Sequence, residues 1–365
     1  MARLLIVALL IVHGLIHALG FAKSFGLAEI QQLSKPVSLP WGVVWALCAL
    51  AFVAAGVGHA VNAPWWWIVA VPALIASQVA IVAFWSDAKV GTLANLLLIA
   101  PIVLSFGSWR FASQLHADLA EIRSSVPSAE PERVQDADLN ALPPIVKKWL
   151  LRAGVVGRQR ARTVSLTQRG EMMKAPGEAW LPFSARQWFV VPEPSFLWTV
   201  DVDGGFAMTL SGRDRYFRGK GTMRIELHSL VPVVRAQGPT IDQGALVRYL
   251  AEIMWFPSAA LEENMHWSSS GKDSAIATIR DGELEVTGTF QFNADGDVVG
   301  FTAKRYREAA LEDWIIENDP ESFRSLDGVR IPTRSTVTWR DTAKESWTWL
   351  RLEVTTLRRN QPLSR

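Results

Sequence analysis

Asp281-Gly-Glu-Leu-Glu-Val-Thr-Gly-Thr-Phe-Gln-Phe-Asn-Ala-Asp-Gly296 decides the fold of most of the chain. Leu284, Val286, Phe290 and Phe292 fall on one side of an extended backbone; Glu283, Glu285, Thr287, Thr289 and Gln291 fall on the other. That period of two predicts a strand with one buried face, and the Asp-Gly pair at each end predicts a hairpin turn. The alternation recurs at 196–202, with Phe196, Trp198, Val200 and Val202 inward, and at 222–228, with Met223, Ile225 and Leu227 inward. Segments 163–168, 185–191, 206–210, 275–279, 298–304, 333–339 and 346–355 read as further strands. About ten strands joined by tight turns predict one antiparallel sheet, strongly curved or closed. Because 346–355 is apolar on both faces, something must cover each side of it.

Two stretches carry the helical period instead. Leu142, Ile145, Val146, Trp149 and Leu150 form a stripe with Pro143 and Pro144 in its first turn and Gly154 beyond its end. Leu246, Tyr249, Leu250, Ile253 and Met254 form a second stripe, begun by Pro239 and Asp242, with Asp242 as its N-cap, and ended by Trp255-Phe256-Pro257. A helix with such a stripe must bury it, so the sheet is expected to wrap on this central helix.

Upstream of residue 110 the composition changes. Residues 1–110 hold only Arg3, Lys23, Lys35, Lys89, Arg110, Glu29 and Asp87 as charges, a net of +3, while the rest of the chain nets −1. Four apolar stretches, 4–22, 41–61, 64–85 and 90–109, fit the roughly 17–25 residues a membrane helix needs. The first is too long for a signal-peptide core and is expected to be retained. Tryptophans and phenylalanines (Phe21, Phe25, Trp41, Trp45, Trp85 against Trp65, Trp66, Trp67, Trp109) fall where four alternating spans put interfaces, which leaves the large C-terminal part on the side of the N-terminus. Lys and Arg are level on the two sides and do not orient the chain. The expected organisation is a four-span domain (1–110), an exit helix and polar linker (111–138), a β-rich α+β domain (139–358) and a tail (359–365).

Within the spans, His13 and His17 are one turn apart on one helix face, and His59 ends the second span. Depth matching pairs His13 with Gln78 and His17 with Asn95, and sets His59 about 11 Å from the level of His13 at about 1.5 Å per residue. One reading is a polar layer that fixes helix packing by hydrogen bonds. The other is a proton path, quinone site or two-histidine metal site.

The segments Pro192-Glu-Pro-Ser-Phe-Leu-Trp198, Gly219-Lys-Gly-Thr-Met-Arg-Ile225 and Gly238-Pro-Thr-Ile-Asp-Gln-Gly-Ala-Leu-Val-Arg-Tyr-Leu-Ala-Glu-Ile-Met-Trp-Phe-Pro257 resemble a family of uncharacterised bacterial membrane proteins, a domain of unknown function. Its membrane motif is similar to Phe84-Trp-Ser-Asp-Ala-Lys-Val-Gly-Thr-Leu-Ala-Asn95. The resemblance covers 142–358 well and the spans loosely, and implies no activity. The helix-on-curved-sheet layout is similar to lipoprotein carriers of the LolA and LolB type, an analogy of fold that favours an extracytoplasmic domain.

Chemistry-bearing constellations are sparse. Cys48 is the only cysteine, which excludes an internal disulfide and Cys-based metal sites. The charged part has no basic excess, so no nucleic-acid partner is expected. His116, His228 and His266 read as isolated surface residues, Gly219-Lys-Gly-Thr as a hairpin, and Asn293-Ala-Asp-Gly-Asp297 as a turn. No enzyme activity, metal or cofactor is expected. The polar set Asp242, Gln243, Arg248, Tyr249 and Glu252, next to Trp255 and Phe256, reads either as a solvated ion pair with a cap or as the rim of an apolar cleft. In the second case Arg248 meets an anionic headgroup, Glu252 steadies it, Trp255 and Phe256 line the mouth, and Trp188, Trp198 or Trp339 add from the strands. Two functions follow: a module binding a lipid or other apolar ligand near the bilayer, or a small membrane carrier or redox protein using His13 and His17, with the β domain regulatory.

Overall fold

The computed structural model describes residues 2–205, 208–307, 309–340 and 346–363. The chain divides into two compact units, Met1–Ser113 and Gln114–Arg365.

The first unit holds α1 (Ala2–Ser24), α2 (Leu39–Ala60), α3 (Trp66–Ala83), the single turn α4 (Trp85–Ala88) and the start of α5 (Gly91–Arg123). All but α4 are long and apolar enough to cross a membrane, giving the expected four. The fourth span and the exit helix, read as two elements, are one unbroken helix, since no glycine or proline separates Trp109 from Ser113. Helices in lipid gain little from burying apolar surface against one another, so close approach of small residues carries their packing. Here α1 and α2 meet through Gly20 and Gly42: a Cβ on Gly20 would overlap the Trp45 ring, and one on Gly42 would overlap Ser24 Oγ. Leu10, Cys48 and Phe52 fill the space between.

The second unit begins with residues 114–123 of α5. Leu115, Leu119 and Ile122, in the stretch expected as an exit helix, pack on Trp188, Val190, Leu197 and Phe217 of the same unit. α6 (Pro144–Ala153) opens on Pro144 and stops at Gly154, whose φ of +73° suits a residue without Cβ. Then follow β1 (Thr163–Met172), β2 (Leu181–Val190), β3 (Ser195–Asp203), β4 (Thr209–Phe217), β5 (Lys220–Leu227), β6 (Val231–Gln237) and α7 (Pro239–Glu252). β7 (Met265–Ser269), β8 (Ser274–Asp281), β9 (Leu284–Phe292), β10 (Val298–Arg307) and β11 (Ala310–Asn318) come next. β12 (Phe323–Leu326), β13 (Val329–Pro332), β14 (Arg334–Arg340) and β15 (Trp347–Arg359) complete the chain.

Thirteen of these strands make one antiparallel sheet in the order β6-β5-β4-β3-β2-β1-β15-β14-β11-β10-β9-β8-β7, curled into a half-barrel; β12 and β13 pair separately. The expected ten are therefore too few. β6, β7 and β11 were not predicted, for identifiable reasons. β6 is an edge strand with Pro232 and exposed valines, and β7 is a five-residue edge, so neither needs a period. β11 buries Trp314, Ile315 and Ile316 in succession, which erases its alternation. The strand expected at 206–210 is β4, starting at Thr209; Phe206 and Ala207 lie outside the described residues.

The inner face does not wrap on its helix everywhere. α7 contacts β4, β5 and β6 on one arm of the arc and β9 and β10 on the other, bridging the gap that the open barrel leaves. At one end of the arc Val164, Phe189, Phe196, Tyr216, Phe290 and Phe301 are wholly buried. At the other end Met172, Leu181, Leu210, Trp347, Trp349 and Leu352 are only partly so. Met223, Ile225 and Leu227, expected inward, are likewise only partly buried, while Glu226 on the opposite face is buried. The reason is the α5 tail. Its Gln114 and Asp118 cover the outer side of β4 and β5, meeting Arg224 and Arg213.

The loop after β9 is the turn the sequence predicts, with Asn293 Oδ1 accepting from the backbone N–H of Asp295 and Asp297. Asp297 takes both arms of the Arg330 guanidinium at 2.8 and 2.9 Å. Burial alone would raise its carboxyl, but Arg330 and Arg152 hold it below the usual aspartate value. A depressed carboxyl contributes stability above the unfolded value of about 3.9 and loses it as pH falls below that. Asp297→Asn should therefore lower the melting temperature at pH 7, by about 2 kcal/mol in stability, and remove part of the acid dependence below about pH 4. Equal melting of both proteins across that range would rule the pair out as a stabilising contact.

Candidate functional site

α7 carries the site. It begins after Gly238, whose φ is +110°, with Pro239 in its first turn. Asp242 is not the N-cap: it lies inside the helix, and its carboxylate accepts from Gly221 N–H at 2.7 Å and from Lys220 Nζ at 3.0 Å. It thereby ties α7 to β5.

Two faces of α7 diverge. Leu246, Leu250 and Ile253 are fully buried, and Tyr249 beside them donates its hydroxyl to Val191 O at 3.1 Å. The 3₁₀ turn Ile253–Trp255 then tucks the chain inward, so Trp255 is 3% exposed and Phe256 is 0%. Phe256 stands 4.7 Å from the Phe189 ring. These two aromatics are core, not the rim of a cleft, and Tyr249 is core with them.

The other face presents Gly244, Arg248 and Glu252 at i, i+4 and i+8 toward the inner side of the sheet. Arg248 and Glu252 do pair, Nε to Oε1 at 2.8 Å, but the pair is not solvated, the side chains being 13% and 6% exposed. A second carboxylate completes it: Arg248 Nη1 lies 2.8 Å from Asp214 Oδ2 on β4. The guanidinium also sits 4.6 Å over the Trp198 ring and 5.1 Å over Phe196. Trp198 donates its indole N–H to Gln168 Oε1, and Gln187 donates to Glu252 Oε2 at 2.7 Å. Burial pushes the Glu252 and Asp214 carboxyls up from their usual values, against the pull of Arg248. Asp214 nevertheless keeps 22% of its side chain accessible, so it borders open space inside the arc.

Sequence reasoning missed Arg305. It extends the inward series Phe301, Ala303, Arg305 on β10, one residue beyond the predicted strand end at 304. Its guanidinium carbon is 4.7 Å from the Trp314 ring and 5.8 Å from Trp339. Trp188, by contrast, faces the α5 tail on the outer side. The outer face also has a groove of about 730 Å³ lined by Arg169, Glu171, Arg334 and Glu353, among others. Its charges are exposed and paired with one another, Arg169 with Glu353 and Arg334 with Asp319. Such pairs contribute little.

In the first unit, His13 and His17 touch, their ring centroids 4.9 Å apart. The depth pairing is revised by a residue that sequence reasoning passed over, Ser77. His13 Nε2 lies 3.0 Å from Asn95 Oδ1 and 3.2 Å from Ser77 Oγ, and His17 Nε2 lies 2.8 Å from the same Ser77 Oγ. Gln78 is one step removed, accepting from Asn95 Nδ2 and donating to Thr92. The side chain on the next helix residue decided which hydroxyl or amide reaches the imidazoles. His59 is apart, its ring tilted against Trp66 at 4.5 Å, with Arg3 donating to its carbonyl. Among the described residues no three His, Cys, Asp or Glu side chains cluster as a metal would need. His116 lies on α5, His228 in the turn after β5, and His266 on the edge strand β7.

The fold thus defines a protein with four helices of membrane-crossing length followed by a half-barrel domain with charges on its inner face. Residues 132–352, more than half of the chain, match DUF6544, described as a family of unknown function. The chain belongs to that family. No curated protein matches it.

Arg248→Met should cost about 3–5 kcal/mol, because it leaves the buried Glu252 and the part-buried Asp214 without their cation. Adding Asp214→Asn and Glu252→Gln should recover most of that loss. Urea or thermal unfolding of wild type, the single variant and the triple variant checks it; a single variant as stable as wild type would show the pair to be idle.

Proposed function

We propose that the half-barrel is a binding module for a lipid or another amphiphile with an apolar chain, held close to a bilayer by the four helices. The observation that supports this reading is the graded inner face. Wholly buried aromatics close one end, while Met172, Leu181, Leu210, Trp347 and Trp349 are half-covered at the other. Large apolar side chains left part-wet on a concave face are what a ligand chain covers. A lipoprotein-carrier-like layout, with a curled sheet and a bridging helix, is compatible with the arrangement. In this reading the half-barrel shares its side of the membrane with the N-terminus, extracytoplasmic by the same analogy.

A second reading keeps the function among the helices. His17 Nδ1 is buried without a partner, next to a serine that three side chains share. That unspent nitrogen favours proton or electron traffic over packing alone.

Photocrosslinking separates the two. Full-length protein in nanodiscs, irradiated with a diazirine-bearing acyl lipid, should carry label on peptides containing Met172, Leu181, Leu210 or Trp347. Label confined to residues 2–113 would refute the half-barrel as the binding module. Topology is checked in the same preparation with Cys48 replaced: cysteines at Ser34 and Ser128 should be reached by impermeant reagent from opposite sides. Reaction of both from one side would end the four-span arrangement.

A further inference from the structure

We propose that Arg305 is the anion anchor inside the half-barrel, receiving the carboxylate of a long-chain monocarboxylate edge-on through its guanidinium fork. The proposal rests on the amphiphile-binding reading above and names its ligand class.

Arg248, Arg305, Asp214 and Glu252 face one another inside the arc, beside the Arg307–Glu312 pair of β10 and β11, and the arginines are not equally engaged. Arg248 is spent on Asp214 and Glu252. Arg305 has aromatic rings beside it, Trp314 and Trp339, and no acceptor for its N–H groups among the described residues. Its nitrogens are not sealed off either, for they are absent from the buried polar atoms that lack a partner. A guanidinium removed from bulk water normally finds acceptors for its five donors. One whose neighbours hold it without accepting its protons is prepared for an acceptor that arrives with a ligand.

The backbone makes room for this placement. Gly244 sits mid-helix in α7, where glycine is a poor helix former. An added Cβ there would stand 3.0 Å from Arg305 Nε and 3.6 Å from its Cγ, so the missing methyl lets the arginine lie against the helix. Burial, followed by the nearby Arg248, pushes Arg305 down to about 10, which leaves it cationic at neutral pH.

The charge balance selects the ligand. With the Arg307–Glu312 pair included, Arg248, Arg305, Asp214 and Glu252 sum to zero, so a monoanion adds one negative charge beside three carboxylates and a dianion would add two. With indoles beside the guanidinium, planar in-plane contact is favoured, and a carboxylate matches that fork. The part-covered apolar residues Leu210, Trp347 and Trp349 then receive the chain.

The test uses full-length protein in amphipol with dansylamino-undecanoic acid and its methyl ester as probes. Wild type should bind the acid about tenfold more tightly than the ester. Arg305→Lys keeps the charge and loses the fork; Gly244→Ala keeps the arginine and crowds it. Each should weaken the acid by several-fold and leave the ester unchanged, with melting temperatures showing both proteins folded. Arg305→Gln should bring acid and ester together, and the two milder variants decide if it does not fold. Acid and ester bound alike by wild type, or acid binding unmoved in both mild variants, overturns the anchor and leaves the amphiphile reading standing. Neither probe bound by wild type overturns both. Acetate or inorganic phosphate displacing the acid at its own concentration would make this a small-anion site and overturn the chain-bearing ligand.

Discussion

An antiparallel sheet that curls without closing has two problems, unpaired edges and an uncovered inner face. α7 addresses the second. It lies between the β4–β6 arm and the β9–β10 arm, and its buried stripe of Leu246, Leu250 and Ile253 gives both arms something to close on. The inner charges are then set against that one helix, whose start is tied to β5 by Asp242 and whose last turns reach Asp214 and Gln187. The edges are blunted separately. β6 carries Pro232 and Arg235, and β7 is only five residues long, so neither offers a long template for another strand.

What was legible in the sequence follows from where a face is dry and its opposite wet. β9, with Val286, Phe290 and Phe292 inward, has that contrast and was read nearly to the residue. β11 lacks it because Trp314, Ile315 and Ile316 are buried in succession, and β6 lacks it because one face is exposed and the other only partly covered. The Arg248–Glu252 pair was readable from spacing alone, since four residues on a helix fix it. Its burial was not, because Asp214 lies 34 residues away and only the β3–β4–β5 register brings it to the same face. Arg305 was hidden for the same reason: an inward arginine near a strand end looks like the start of a loop until its neighbours Trp314 and Trp339 are known.

The first unit follows a different rule. With no water to expel between helices in lipid, contact depends on how near the backbones come, and Gly20 and Gly42 decide that for α1 and α2. Polar side chains then find one another across the bundle because a lone donor in hydrocarbon is costly. Ser77 shows why depth alone mispaired them. A helix places successive residues about 100° apart, so a match in height between His13 and Gln78 says nothing of facing, and the smaller Ser77 occupies the position toward both imidazoles.

The inner charges of the half-barrel pose the sharper question, because stability does not require them. A buried ion pair is often no better than apolar side chains of the same volume, and replacing a whole network can raise stability. The domain already has aromatic residues at hand: Phe196 and Trp198 flank Arg248, and Trp314 and Trp339 flank Arg305. Leucine or methionine at positions 214, 248, 252 and 305 would pack against those rings without desolvating a single charge. The network moreover leaves Gln187 Oε1 and Gln168 Nε2 buried without partners, a further cost that an apolar interior would avoid. Under the proposed binding function, charges kept at the border between a sealed end and a half-open one orient a ligand, which is what an apolar interior of equal volume would not do.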